Sequence, residues 1–293
     1  MSARNWGLLI ILSVLWGGSF FFVEIALTGL PPLTIVFARV TGAAVILALW
    51  ITARGHDLPQ GAVAWRALLV QGLLNNAVPF TLFAVAQGQI EGALAAIVNA
   101  TTPLWTVLAA HVFTRDDHLT PARAVAVGLG FGGVLVMTGG QAGGTAWALV
   151  ACLAAAMSYG VAGIWGRRFK PLGLRPEQVA FGQVSAASLL VLPLWLVLDR
   201  PWTLPAPPVS ALVAVVGLVV LSTALAYLIF FRILASAGAT MLSLVTFLIP
   251  VSAIALGIGF LGEALLPRHL AGLALILLGL IAIDGRLVTW ARR

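Results

Sequence analysis

Charge, acid and sulfur are scarce in this chain. Only 9% of its 293 residues are charged, nine of them acidic, and there is a single cysteine, Cys152. One cysteine excludes an intramolecular disulfide framework, and the four histidines fall at no spacing that makes a zinc site with it. No segment has the form of a phosphate-binding P-loop, which excludes a pump that hydrolyses ATP by itself. Gly128-Leu129-Gly130-Phe131-Gly132-Gly133 imitates a dinucleotide fingerprint, yet it lies inside an apolar run with no strand before it and reads as close helix packing. No cofactor and no metal are expected. Asp116, Asp117 and His118 are read as a solvated loop.

What fills the chain is apolar. Hydrophobic residues make up 61% of it and the mean hydropathy is +1.08, a balance that would leave a soluble domain covered in apolar patches. Stretches of about 20 apolar residues, enough to cross a hydrocarbon core of roughly 30 Å, recur between short polar breaks. They predict ten membrane helices, at 6–28, 33–53, 64–86, 90–113, 121–138, 146–166, 178–198, 209–232, 238–261 and 269–288. The first run is too long for the core of a signal peptide and has no small-residue cleavage site behind it, so it counts as the first helix. The connections are too short for a soluble domain, which makes residues 1–293 one membrane domain.

Orientation follows from the loops. With a cytoplasmic N-terminus, thirteen of the sixteen basic residues fall on the inner side, Arg200 and Arg268 fall outside, and Arg39 lies within a helix. Both termini are therefore expected inside. The net charge of +7 reads as topology and contact with anionic lipid. Nucleic acid is excluded as a partner, because the basic residues are spread over several loops with no soluble module to present them, and no obligate protein partner is evident.

The chain also repeats itself. Pro103, Asp117, Pro121, Gly133 and Gly139 are echoed by Pro250, Glu263, Pro267, Gly279 and Gly285, at an offset of 147 for the first pair and 146 for the others. The series extends to Trp16-Gly17 against Tyr159-Gly160, Pro32 against Pro176, Arg39 against Gln183, and Asn76 with Phe80 against Thr223 with Tyr227. A repeat of half-chain length in an apolar protein marks a carrier built from two related bundles, here 1–140 and 141–293. Five helices per half is an odd number, so equivalent helices cross in opposite directions and the repeat is inverted.

Several of these strings resemble a known family. Leu15-Trp16-Gly17-Gly18-Ser19-Phe20, Pro31-Pro32 leading to Phe37-Ala38-Arg39, Ala224-Leu225-Ala226-Tyr227, and Pro250 followed by Gly262-Glu263, Gly272 and Gly279 are similar to EamA-type members of the drug/metabolite transporter superfamily. The first half departs from that pattern with Arg115-Asp116-Asp117 where Gly-Glu is usual and Ala126 where glycine is common. The resemblance spans the chain and implies a ten-helix carrier, usually an exporter, with a central cavity walled by helices one, three, four, six, eight and nine.

Polar groups at membrane depth are the candidates for function, since each must find a partner or water. Asn76, Asn99, Thr223, Tyr227, Ser243 and Thr246 are expected to line a cavity, with Asn75, Thr101 and Thr102 as further hydrogen-bonding groups; contacts between helices are the alternative for each. Trp16, Phe80, Trp105 and Tyr159 would add an aromatic lining. Pro103 and Pro250 would bend their helices at matching places, as gates or as static kinks. Glu24 and Arg39 are intramembrane charges at similar depths; an ion pair between them, or Arg39 reaching to the outer headgroups, is favoured over a substrate or proton site. Glu263 reads as an interfacial or capping residue. The leading expectation is a secondary carrier in the bacterial cytoplasmic membrane that exports small polar metabolites, amino acids first, by alternating access. The alternatives are a proton-coupled multidrug exporter using Glu24, and an integral membrane enzyme acting on lipid.

Overall fold

A computed structural model describes residues 3–114, 119–139 and 144–284. The Arg115 to His118 segment and Gly285 to Arg293 lie outside the described residues. Every regular element in the described part is a helix. Eight are long and apolar enough to cross a membrane: α1 (Ala3–Leu27), α2 (Pro32–Ala53), α3 (Ala62–Gln87), α4 (Gly92–Phe113), α5 (Pro121–Thr138), α6 (Gly144–Phe169), α7 (Pro176–Asp199) and α8 (Val209–Gly238). Two shorter apolar helices follow, α9 (Val245–Leu261) and α10 (Pro267–Ile283). Proline opens α2, α5, α7 and α10. In the first turn of a helix its missing N–H costs nothing and its fixed φ suits the start.

The boundaries differ from expectation in one place. The sequence places the end of the eighth helix at Arg232, whereas α8 runs on through Ile233-Leu234-Ala235-Ser236-Ala237 and stops at Gly238, whose φ of +77° is open to glycine and strained for other residues. Helix nine is correspondingly shorter at its start.

Outward faces are apolar: Val209, Phe260 and Val125 are 75%, 74% and 73% exposed, the inverse of a soluble surface and suited to lipid. Inside, two clusters form. One joins α1, α4, α5, α6, α9 and α10 with the later parts of α3 and α8 around residues such as Leu9, Ile97, Leu104 and Ile276. The other joins the far end of α1 with α2, α3, α7 and α8 around Ile35, Leu47, Val184 and Leu218.

Small residues set how closely the helices approach. A Cβ on Gly133 of α5 would meet the Gly272 carbonyl oxygen of α10 at 2.5 Å, and one on Gly279 of α10 would meet the Ala126 carbonyl at 2.6 Å. A Cβ on Gly17 of α1 would collide with Ser252 and the Ala253 backbone of α9, while one on Gly160 of α6 would lie 2.8 Å from the backbone of Trp105 and Thr106 in α4. Gly42 of α2 rests on Val219 of α8, and Gly72 of α3 on the Gln183–Ala187 stretch of α7. The principal pairings are α5 with α10, α1 with α9, α4 with α6, α2 with α7, α1 with α8, α3 with α6, α3 with α7 and α2 with α8. Exchanging α1 to α5 for α6 to α10 maps this set onto itself.

Candidate functional site

A cavity of about 1140 Å³ lies among the helices. At one end it reaches Lys170, Gly173 and Arg175, exposed residues of the α6–α7 connection. Its floor is lined by Phe20, Val23, Phe83 and Gln87. Phe20 packs edge-on to Phe83 at 5.4 Å, and the Gln87 amide donates to the Phe20 carbonyl at 2.8 Å, tying α3 to α1 across this floor.

Two π-turns build the polar centre. In α3 the segment Leu73–Ala77 and in α8 the segment Val220–Leu225 depart from α geometry, and π-turns of this kind concentrate at functional sites. They carry Asn75 with Asn76 and Ser222 with Thr223, residues that correspond in the repeat. Asn76, fully buried, donates to the Tyr227 hydroxyl at 2.9 Å; Asn75 donates to the same hydroxyl at 3.4 Å and to Gln183 Oε1 at 3.2 Å. The Thr223 hydroxyl donates to the Leu218 carbonyl five residues back at 2.8 Å and accepts from Arg39 Nε at 2.9 Å. Arg39 Cζ sits 3.7 Å over the centre of the Phe80 ring. Residues from α2, α3, α7 and α8 thus meet in one buried cluster.

Beyond the cavity floor lies a second polar cluster of different character. Glu24 of α1 accepts from the Gly92 N–H at 2.8 Å, and Glu263, in the connection before α10, accepts from the Ala93 N–H at 2.9 Å. Two carboxylates from distant parts of the chain therefore cap the first turn of α4, where its N–H groups have no partner within the helix. Glu91 accepts from the Ala264 N–H at 3.4 Å and closes the group. Burial, and then the neighbouring Glu24 carboxyl, push the Glu263 carboxyl up to about 8, against the opposing pull of the Ala93 N–H. A carboxyl raised to about 8 keeps its proton at neutral pH, so Glu263 is the acid of this cluster that stays uncharged. Asp199 caps α2 in the same manner, accepting from the Thr34 N–H and hydroxyl at 2.6 and 2.8 Å.

Of the residues expected to line a cavity, Trp16, Phe80, Asn99, Tyr159, Thr223, Tyr227, Ser243 and Thr246 face it. Asn76 and Trp105 do not: Asn76 is turned to Tyr227, and Trp105 packs edge-on against Phe131 at 4.7 Å. Asn75 takes the lining position instead. The expected pairing of Glu24 with Arg39 is absent, and so is the reach of Arg39 to headgroups. Arg39 is buried against Thr223 and Phe80, because α2 turns it toward α8, while α1 turns Glu24 toward the start of α4. The wall is also wider than the family resemblance implies: Arg39 of α2, Val179 and Gln183 of α7, and Leu280 and Ile283 of α10 belong to it.

The two prolines are not equivalent. In α4 the helix is interrupted at Ala100-Thr101, Pro103 falls in the first turn of the following segment, and the Asn99 carbonyl it leaves without a helical donor accepts from the Thr102 hydroxyl at 2.8 Å. Pro250 lies inside the continuous segment Val245–Leu256, and the break in that region sits earlier, at Gly238 and at Ser243-Leu244. An interruption of the helix therefore sits beside Pro103 and not at Pro250. Gln183 was missed as a site residue, although its repeat match to Arg39 pointed to it.

The profile of the EamA-like transporter family matches the chain twice, at residues 5–139 and 146–283. The uncharacterized inner membrane transporter YedA of Escherichia coli strain K12 is 26% identical over 279 residues, covering 94% of this chain and 89% of its own length. Protein PecM of Dickeya dadantii is 29% identical over 276 residues, with 92% and 88% covered. The uncharacterized transporter YvbV of Bacillus subtilis is 25% identical, with 94% and 90% covered. A crystal structure of a protein 21% identical superposes over 100% of both chains with a TM-score of 0.68, which shows the fold. With a family profile matching across nearly its whole length, and with multiple apolar helices around a central cavity, the chain belongs to the EamA-like transporters of the drug/metabolite transporter superfamily.

Proposed function

We propose that this protein is a secondary carrier that exports small polar metabolites, with amino acids as the leading class, across the bacterial cytoplasmic membrane. The observation that carries this reading is the cavity: its lining runs from Lys170 and Arg175 in the α6–α7 connection, through a cluster of neutral hydrogen-bonding groups at mid-helix, to the packed rings of Phe20 and Phe83. If the basic loops are cytoplasmic, the cavity faces inward, the state that loads cargo for export. Ten crossings in two inverted repeats of five, with both termini inside, accord with the double match of the family profile and with the exchange symmetry of the helix pairings. Alternating access then means closing the Lys170 end and opening the end held by Glu24, Glu91 and Glu263. The gating role of Pro103 rests on the interruption of α4 beside it; Pro250 has no such interruption.

The same cavity gives the multidrug alternative no support, because Glu24 lies outside the lining and is committed to capping α4. The test is purified protein in liposomes loaded with individual radiolabelled amino acids, with and without a pH gradient. Efflux of at least one amino acid above protein-free vesicles is expected. Movement of no amino acid or related metabolite would sink the reading.

A further inference from the structure

We infer that Arg39 is the anchor for a carboxylate on the transported molecule, so that the cargo is an acid or a zwitterion and not a simple cation. This rests on the carrier reading and narrows it.

Arg39 is 7% exposed, and what remains open faces the cavity. A guanidinium has five N–H donors. Here one, at Nε, is spent on the Thr223 hydroxyl, and one face of the plane is covered by Phe80. Among the described residues no carboxylate lies within ion-pair distance of it; the titratable groups nearest in electrostatic terms are the phenols of Tyr159 and Tyr227. The two terminal nitrogens therefore carry the fork that matches a carboxylate in bidentate geometry, held at a fixed angle by Thr223 and Phe80 and lacking an anion of the protein's own. A cation desolvated in a membrane protein without a counter-charge is costly, and residues in that condition face partners or water-filled paths.

The rest of the lining agrees. Among the described residues it contains no aspartate or glutamate, and its other charges are Lys170 and Arg175 at the mouth. An incoming anion is drawn inward along this path. An incoming cation meets three positive groups and no compensating carboxylate. The ammonium of a zwitterion bound at Arg39 has neutral oxygens on Asn99 and Tyr159 and the ring face of Trp16 within the same cavity.

The experiment uses the full chain in detergent and three probes with one skeleton: phenylalanine, its deaminated acid 3-phenylpropionate, and its decarboxylated amine phenethylamine. Binding is read by ligand-induced thermal stabilisation, in wild type, Arg39→Lys and Arg39→Gln. The acid and the amino acid are expected to bind wild type and the amine to bind at least tenfold more weakly. Arg39→Gln should weaken both carboxylates by roughly 10- to 100-fold, the range for a hydrogen-bonded charge, with Arg39→Lys in between. If the variants do not fold, phenylglyoxal modification of wild type gives the same answer, since 3-phenylpropionate should protect the Arg39 peptide and phenethylamine should not. Equal or tighter binding of the amine, no carboxylate binding, unaltered binding in Arg39→Gln, or no protection overturns the anchor. Translocation of cationic or uncharged cargo in liposomes would then leave the carrier reading standing, whereas carboxylate binding with no translocation of any metabolite would remove that reading and keep the anchor.

Discussion

The polar centre of the cavity and the acidic cluster past its floor treat charge in opposite ways. At mid-helix, Arg39 is held by a hydroxyl and a ring, with no acid beside it among the described residues. Past the floor, Glu24, Glu91 and Glu263 crowd together with no base among their hydrogen-bond partners in the described residues, and the problem is solved by backbone N–H groups and a raised Glu263 carboxyl. The difference separates two uses of a buried charge. The acids are consumed by the architecture, since they terminate α4 and join it to α1 and to the segment before α10. The base is held in place but not neutralised.

The largest effect should come from reversing the charge at the polar centre. Arg39→Glu sets a carboxylate against the Phe80 face and the path from Lys170, and transport of any carboxylate-bearing cargo in liposomes should fall to background; retention of more than about a tenth of wild-type efflux would show that the cation is only structural. Next is Glu263→Ala, which strips the Ala93 N–H of its acceptor. A buried donor left unpaired costs about 1–3 kcal/mol, so the thermal midpoint in detergent should drop by several degrees, while binding of a carboxylate probe at the distant Arg39 end changes little.

A pH titration sharpens the same contrast. The Glu263 carboxyl is raised from its ordinary value of 4.5 to about 8 in the folded protein. Its contribution is fully present below the unfolded value and is lost as pH rises through about 8, because the second carboxyl must then ionise beside the first. Wild-type midpoints should therefore fall between pH 6 and pH 9 by more than those of Glu263→Gln, in which an amide donates to Glu24 without a titrating proton. A profile for Glu263→Gln that parallels wild type would break the argument. The smallest effect is expected for Tyr227→Phe, which removes the oxygen shared by Asn75 and Asn76. Side-chain hydrogen bonds within membrane proteins average about 0.6 kcal/mol, so a midpoint shift of a degree or two, with a larger change in cargo affinity than in stability, is the expected pattern.

Much of this was legible along one dimension only. Hydropathy and proline starts located the helices to within a few residues, and α8 escaped because Arg232 looked like an end when the following apolar residues still had a helix to complete. Depth was legible as well, and both Glu24 and Arg39 were placed within helices. Azimuth was not. A residue's direction around its helix depends on which neighbour the helix packs against, so two charges at one depth looked like a pair although they face α4 and α8. For the same reason the sequence favoured Asn76 over Asn75 for the lining. Adjacent residues differ by about 100° of rotation, and the π-turn of α3 decides which of them faces the cavity. The cross-chain capping by Glu263 was half legible: a capping residue was expected, but the helix it caps was not.

The π-turns of α3 and α8 also bear on how such a site could be altered. A π-turn holds one residue more than the α-helix around it, and the surplus turns everything beyond it by about 100° relative to an uninterrupted helix. Gln87 and Phe83 at the floor, and Tyr227 on the other side, take their bearing on the cavity from that single extra residue in each half. The set of groups shown to cargo is therefore governed by chain length as well as by residue identity. Deleting one residue within Leu73–Ala77 would keep the composition of the site nearly intact and turn it away from the cavity.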